Sequence, residues 1–95
     1  MRFEWDERKN RANRRKHGVS FETAQLVFDD PLHLSRPDYE DDGEERWQTI
    51  GVVGGVVALI VAHTYRQEGD DEIVRIISAR KATKQERKHY EKGET

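Results

Sequence analysis

The sequence lacks several features, and each absence narrows the classes of protein to which the chain can belong. None of its 95 residues is cysteine, so disulfide staples, a cysteine nucleophile and thiolate metal sites are excluded. The longest apolar run, Val52 to Ala62, is interrupted by two glycines and is too short to span a bilayer. The segment Met1–Asp6 lacks the hydrophobic run of a signal peptide. We therefore expect a cytoplasmic protein without membrane association.

Apolar residues are also scarce. They make up 34% of the chain, whereas charged residues make up 38%. The length predicts one domain spanning residues 1–95, with a thin core because small domains bury a smaller fraction of their surface.

Charge is unevenly distributed along the chain, although the net charge is only -2. Residues 1–19 hold seven Lys/Arg against three Asp/Glu, residues 20–50 hold two against nine, and residues 75–92 hold seven against two. This asymmetry indicates two differently charged faces. Solvated faces of charged helices would explain it equally well, so both interpretations stay open. The acidic segment from Asp38 to Glu45 is the one loop of any length that we expect.

Three segments carry helix start and stop signals. Asp6 can cap the first helix, and Gly18 provides a left-handed stop after it. Ser20 can cap the second helix, and Thr83 with Glu86 forms a capping box for a basic third helix. The predicted helices are residues 6–17, 20–31 and 83–90.

The remaining segments read as strands, at residues 32–36, 46–53, 56–66 and 72–80. A Gly54-Gly55 link predicts a two-residue hairpin turn of type I′ between the two central strands. The resulting register places Arg46 opposite His63. The element order predicts an α+β domain with two amino-terminal helices, a twisted and mostly antiparallel sheet of about four strands, and a carboxy-terminal helix.

Arg80 is the strongest candidate for a functional residue. It ends an apolar strand just before the third helix, whose amides and dipole, together with Lys81, favour an anion such as phosphate. The alternative is an ion pair with a carboxylate such as Glu45. Arg66 and Arg46 lie at the ends of neighbouring strands. The three guanidinium groups converge only if the strand of Arg80 pairs in parallel with that of Arg66.

Other residues suggest supporting roles. His63 could act as a general acid or base near neutral pH, or simply pack within the sheet. Tyr90 could stack on a nucleobase or pack against the sheet. The capping box gives Glu86 a structural role without catalysis. The histidines lack metal-ligand spacing, and no nucleotide fingerprint is present, so we expect neither metal nor cofactor.

Two segments are specific in combination, Lys-His-Gly-Val-Ser-Phe at 16–21 and Arg-Ile-Ile-Ser-Ala-Arg at 75–80. With shorter matches over nearly the whole chain, they resemble the BrnT toxins, part of the RelE-like group. The shorter matches are Phe3–Asp6, Lys9, Asn13, Val27–Pro31, Glu45–Arg46, Ile50–Gly51, Thr64–Arg66, Glu86–Arg87 and Tyr90.

This resemblance implies a RelE-like fold and an endoribonuclease, similar to mRNA interferases, that inhibits translation. It further implies neutralisation by a BrnA-type antitoxin carrying a ribbon-helix-helix DNA-binding part. The two proteins would form a 2:2 complex that binds operator DNA through the antitoxin and represses its own operon.

The chemistry expected on this basis is cleavage without metal, through attack of the ribose 2′-hydroxyl on the adjacent phosphate. Such a reaction needs positive groups where charge develops, and arginine suits that role. A non-enzymatic module that binds nucleic acid or protein through its basic last helix is the main alternative, and an antitoxin or regulator is another. The catalytic candidates are Arg46, Arg66, Arg80, His63 and Tyr90, and the RNA-binding candidates are Lys9, Lys81 and Lys84.

Overall fold

A computed structural model describes residues 1–38 and 45–94, and in them five strands form one mixed sheet. Strand order is β1-β5-β4-β3-β2, with β1 parallel to β5 and every other pair antiparallel. The strands are β1 Arg2–Glu4, β2 Leu34–Asp38, β3 Arg46–Val53, β4 Val57–Glu68 and β5 Asp71–Lys81. The helices are α1 Glu7–His17, α2 Phe21–Ala24, which continues as a 3₁₀ turn Gln25–Asp29, and α3 Lys84–Glu91.

This architecture confirms the α+β class but corrects two details. The sheet has five strands rather than about four, because β1 is too short to show an alternating pattern and is held by pairing with β5. The second helix is a single α-turn with a 3₁₀ extension rather than a helix reaching Pro31. Most of the predicted acidic loop, residues 39–44, lies outside the described residues. No helix in the described part of the chain is long and apolar enough to cross a membrane.

The helix ends follow the predicted capping chemistry. The Asp6 carboxylate accepts hydrogen bonds from the amides of Arg8 and Lys9, and Gly18 closes α1 with a φ of 72°. At α3, both halves of the capping box are present: Thr83 Oγ1 accepts from the Glu86 amide and Glu86 accepts from the Thr83 amide. These local signals set where α1 and α3 begin and where α1 ends.

The register of the central hairpin differs from the prediction by one residue. Gly54 and Gly55 adopt positive φ as expected, but Val56 stays outside the ladder and Val53 pairs with Val57. A shift of one residue moves side chains to the other face of a sheet. Trp47, and not Arg46, therefore pairs with His63.

The close approach of Gly51 to the 3₁₀ turn helps to explain this register. A Cβ atom there would lie 2.9 Å from both the carbonyl oxygen and Cγ1 of Val27. Only glycine fits beneath that turn, so Gly51 must face the helices, and its neighbour Thr49, two residues earlier on β3, is buried with it.

The core lies between the sheet and the amino-terminal helices. Its buried residues are Val19, Phe21, Ala24, Val27, Leu59, Val61, Val74, Ile76 and Ala79. In α1, the two buried positions are polar, Asn10 and Asn13. Asn13 Nδ2 donates to the carbonyls of Val19 and Ala79, each at 2.8 Å, and its Oδ1 accepts from the Ala79 amide at 3.1 Å. Since β1 pairs with β5 only as far as Arg75, Asn13 satisfies β5 backbone groups beyond that point.

Candidate functional site

The sheet face opposite α1 and α2, here called the open face, carries most of the candidate arginines. Residues paired across antiparallel strands share a face, and the pairs Ile60–Arg80 and Thr64–Arg75 belong to this one. Alternation along the strands assigns the remaining side chains. The arginines of the open face are Arg2, Arg36, Arg46, Arg66, Arg75 and Arg80.

The three predicted catalytic arginines share this face but do not converge on one point. Because β4 and β5 are antiparallel, Arg80 lies opposite Ile60, far from Arg66. The interval from Ile60 to Arg66 corresponds to roughly 20 Å along a strand. Arg46 lies on β3, on the far side of β4 from Arg80. The predicted gathering around a single phosphate is therefore wrong, because the parallel pair of the sheet is β1 with β5.

Arg66 belongs to a network of ion pairs at one end of the open face. Its Nη1 and Nη2 donate to the two carboxylate oxygens of Glu4 at 2.6 and 2.8 Å, and its Nε donates to Glu68 at 2.8 Å. Arg75 also donates to Glu4, at 2.9 Å. The hydrogen bonds from Arg66 and Arg75 lower the pKa of Glu4 to about 2. This end of the face has its positive charge matched by fixed carboxylates.

Arg80 lies at the opposite end, where β5 leads into α3. Its Nη1 and Nη2 donate to the two carboxylate oxygens of Glu86 at 2.8 and 2.9 Å, so its acidic partner is Glu86 rather than Glu45. Glu86 also accepts from the Thr83 amide at 2.8 Å. The hydrogen bond from Arg80 is the largest cause that lowers the pKa of Glu86 to about 2, so Glu86 is ionised at neutral pH. The Arg80 side chain stays 40% exposed, which leaves it fixed in direction but accessible.

A groove runs between α3 and the open face beside this pair. Ile60, the pairing partner of Arg80, and Glu86, its ionic partner, both line it. Its apolar floor and polar rim are formed by Leu34, Arg36, Gln48, Ile50, His89 and Tyr90. Sequence reasoning missed Arg36, Gln48 and His89 as site residues. The correct hairpin register would have placed Gln48 on the face of Arg80.

A hydrogen bond from Tyr90 links α3 to Asp30. The Tyr90 hydroxyl donates to Asp30 Oδ2, which also accepts from the Val52 amide at 2.8 Å. The hydrogen bond to the Asp30 carboxylate raises the pKa of Tyr90 to about 12. The hydroxyl is thus committed to a structural contact, while the ring lines the groove. This arrangement favours the packing role over proton transfer.

His63 lies on the other side of the sheet and is fully buried. Its Nε2 is 2.7 Å from Thr49 Oγ1, and its ring packs edge-on to Phe28 and Tyr65 with centroids 5.0 and 4.8 Å away. Burial lowers its pKa to about 4. The expected position opposite Arg46 is wrong because of the register shift, and a buried imidazole on this face cannot touch a bound substrate.

The three lysines predicted to bind RNA are exposed but lie on different elements. Lys81 ends β5 and Lys84 begins α3, so both are close in sequence to Arg80, whereas Lys9 lies on α1. Within residues 1–38 and 45–94, no group of three His, Asp or Glu side chains is placed to hold a metal ion.

Comparison with known proteins decides the family. The chain matches the family model of the ribonuclease toxin BrnT of type II toxin–antitoxin systems over residues 5–86. The chain belongs to this BrnT family. It is also similar to the crystal structure of the Brucella abortus ribonuclease toxin BrnT, solved at 1.1 Å resolution, with a TM-score of 0.65 and 26% sequence identity. That similarity covers 88% of this chain and 99% of the Brucella chain. No curated protein matches the chain.

Membership of the BrnT family makes this chain a ribonuclease toxin of a type II toxin–antitoxin system, with RNA as substrate and an antitoxin as partner. The matched range contains Arg46, Arg66, Arg80 and Glu86, and it ends before Tyr90. The family assignment therefore rests on the amino-terminal helices, strands β2 to β5 and the start of α3.

Proposed function

We propose that the chain is an endoribonuclease that cleaves RNA without a metal ion, through attack of the ribose 2′-hydroxyl on the adjacent phosphate. The bond from the 2′-oxygen to phosphorus forms as the bond from phosphorus to the 5′-oxygen breaks, and solvent water takes the 2′ proton and supplies one to the departing 5′-oxygen. Arg80 is the group we assign to that phosphate. The observation that carries the proposal is the bidentate Arg80–Glu86 pair, which fixes an accessible guanidinium beside the groove. A donor held in place before the reaction stabilises developing charge without reorganising, and one such donor is worth about 10²–10³ in rate.

Glu86 is a positioning residue in this proposal. Its carboxylate is anchored by the Thr83 amide as well as by Arg80, so the guanidinium is tied to the first turn of α3. The pair orients Arg80 in the way that a second layer of hydrogen bonds orients active-site groups. Stabilisation of the charge that develops on the phosphate is the main contribution to catalysis, since His63 is buried and the Tyr90 hydroxyl donates its hydrogen bond to Asp30.

We assign the other candidate cations to contacts with separate parts of the RNA. Lys81 follows Arg80 directly and Lys84 lies four positions after it, and both would attract the RNA backbone on either side of the reacting phosphate. Arg46 and Arg66 lie too far along the open face to share that phosphate with Arg80, so we assign them contacts with other nucleotides. The Tyr90 ring forms part of the groove wall beside the cleaved bond.

The partner we propose is a BrnA-type antitoxin that neutralises the toxin in a 2:2 complex and binds operator DNA. Family membership supports a protein antitoxin, and translation inhibition by cleavage of mRNA in the cytoplasm follows from the proposed activity. Co-expression of the chain with the product of the neighbouring gene tests this. The expected results are relief of growth arrest and a complex with the mass of two copies of each protein.

The chemistry is tested by incubating the purified chain with single-stranded RNA in excess chelator. We expect cleavage to continue and to leave 2′,3′-cyclic phosphate and 5′-hydroxyl ends. A matched RNA with 2′-deoxyribose at the cleaved nucleotide should stay intact, because it lacks the attacking hydroxyl. Loss of cleavage on chelation would contradict metal independence, and retention of intact RNA would favour the non-enzymatic binding module.

A further inference from the structure

We infer that the outward face of α1 is a track for the phosphate backbone of single-stranded RNA, leading to the end of β5 where Arg80 lies. This inference rests on the proposed RNA substrate and adds a surface that the active-site groove does not contain. α1 buries Asn10 and Asn13. At 3.6 residues per turn, the side chains on the opposite side of the helix are Arg8, Arg11 and Arg15. All three are exposed.

In the described part of the chain, the cations of α1 outnumber the carboxylates that act on them, which are Asp6 on Arg8 and Lys9, and Glu22 on Arg14. The sequence of α1, ERKNRANRRKH, contains a single acidic residue, Glu7, among its many cations. Among the described residues, no Lys or Arg of α1 takes part in an ion pair. Like charges three or four positions apart, such as Arg8–Arg11 and Arg11–Arg15, repel and destabilise a helix. This arrangement weakens the free protein and suits a bound polyanion.

The ion pairs of α3 provide a comparison with α1 within the same chain. Arg87 pairs with Glu91 one turn later, and Glu86 holds Arg80. His89 lies 3.1 Å from Glu94. Arg87 of α3 therefore has an acidic partner in its own helix, whereas among the described residues no Lys or Arg of α1 takes part in an ion pair. On the described part of the chain, the outward arginines of α1 can therefore bind a ligand without first breaking an ion pair.

The track leads to the proposed active site because α1 lies along β5. β1 joins β5 at residues Ile73 to Arg75, and the Asn13 side chain grips the backbone of Ala79 further along the same strand. α1 therefore runs toward the end of β5 that holds Arg80 and Lys81. Lys81 faces the helices while Arg80 faces the groove, so positive charge continues around the strand end.

The composition of this face favours RNA over a protein partner. Protein interfaces bury an apolar centre from which charged residues are depleted. The outward face of α1 presents arginines and Ala12, whereas exposed apolar side chains such as Leu26, Leu32 and Val56 lie on other elements. Arginine grips phosphate oxygens bidentately, and its charge does not titrate near neutral pH.

The test compares two double variants that remove the same charge. Arg11→Gln/Arg15→Gln changes the track, and the control Arg2→Gln/Arg87→Gln changes two arginines that have acidic partners. Binding of a 2′-O-methyl single-stranded RNA, which resists cleavage, is measured by fluorescence anisotropy from 50 to 200 mM salt. The slope of log K against log salt should fall by about 1.4 in the track variant, at about 0.7 per phosphate contact. The control should keep the wild-type slope.

Equal loss of slope in the two variants would overturn the track, because only total charge would then matter. Failure of the antitoxin to suppress growth arrest by the track variant, with RNA binding unchanged, would overturn it in favour of a protein interface. Cleavage of RNA by the wild type separates the two proposals. Cleavage with an unchanged slope in the track variant rejects the track alone, and a reduced slope without any wild-type cleavage rejects the proposed activity alone.

Discussion

The two faces of the sheet hold polar groups in opposite ways. On the face covered by helices, Asn13 and His63 are uncharged and bonded to backbone or hydroxyl groups. On the open face, Arg66 and Arg80 are ionised, partly exposed and paired with carboxylates. Buried polar groups are costly to leave unpaired, whereas exposed ion pairs contribute little to stability. Polar groups therefore fix the fold on one face and stay accessible to a ligand on the other.

Of the variants that test this comparison, Asn13→Ala should have the largest effect on the free energy of unfolding. The change removes three buried hydrogen bonds and leaves backbone groups of Val19 and Ala79 without a partner. At about 1–3 kcal/mol for each buried group left unsatisfied, we expect a loss of about 4 kcal/mol in the free energy of unfolding. Urea denaturation followed by circular dichroism measures it.

Arg75→Gln is the matched control from the open face. It removes an exposed ion pair with Glu4 and should change the free energy of unfolding by less than about 1 kcal/mol. If the two variants unfold at the same urea concentration, the contrast between the faces is wrong.

Protonation of His63 at low pH should have a somewhat smaller effect on the free energy of unfolding. The folded-state pKa of this histidine, about 4, lies below the ordinary value of 6.5, so the unfolded chain takes up a proton first as pH falls. Stability should be independent of this group above pH 6.5 and should decline between pH 6.5 and 4, by roughly 3 kcal/mol at the lower end. His63→Gln should remove most of the slope between pH 6.5 and 5, where Glu4 and Glu86 stay ionised.

Denaturation curves of the wild type and His63→Gln at several pH values give this result. A wild-type stability that rises on acidification from pH 6.5 to 5 would mean that the imidazole is solvated or bears a partner that favours its charged form. His63 would then not be an uncharged buried group, and the contrast between the covered face and the open face would fail at this residue.

Local chemistry made much of this fold predictable. The capping residues Asp6, Ser20 and Thr83, and the stop at Gly18, act within one turn of the chain, and the structure confirms each of them. β3 begins and ends where its apolar pattern indicates. The short strand β1 was not predicted, because a segment of three residues carries no periodicity. Its stability comes from pairing with β5, a strand far along the chain.

The candidate site was predictable in part for the same reason. Arg80 could be located from its position between a strand and a capped helix. Its partner was missed because Glu86 already had a role in the capping box, and the same carboxylate performs both. The orientation of His63 depended on the hairpin register, which Val56 shifts by remaining outside the ladder. Tertiary packing at Gly51, which only glycine allows beneath the 3₁₀ turn, is consistent with that register.

The proposed mechanism depends on Arg80 acting at the reacting phosphate. The most direct measurement compares Arg80→Ala with Arg66→Ala in the cleavage assay with chelator. Both variants remove an ion-paired arginine from the open face. We predict a loss of about 10²–10³ in the cleavage rate for Arg80→Ala, and a loss of no more than about tenfold for Arg66→Ala. Equal losses, or an Arg80→Ala variant that cleaves at the wild-type rate while correctly folded, would contradict the central claim.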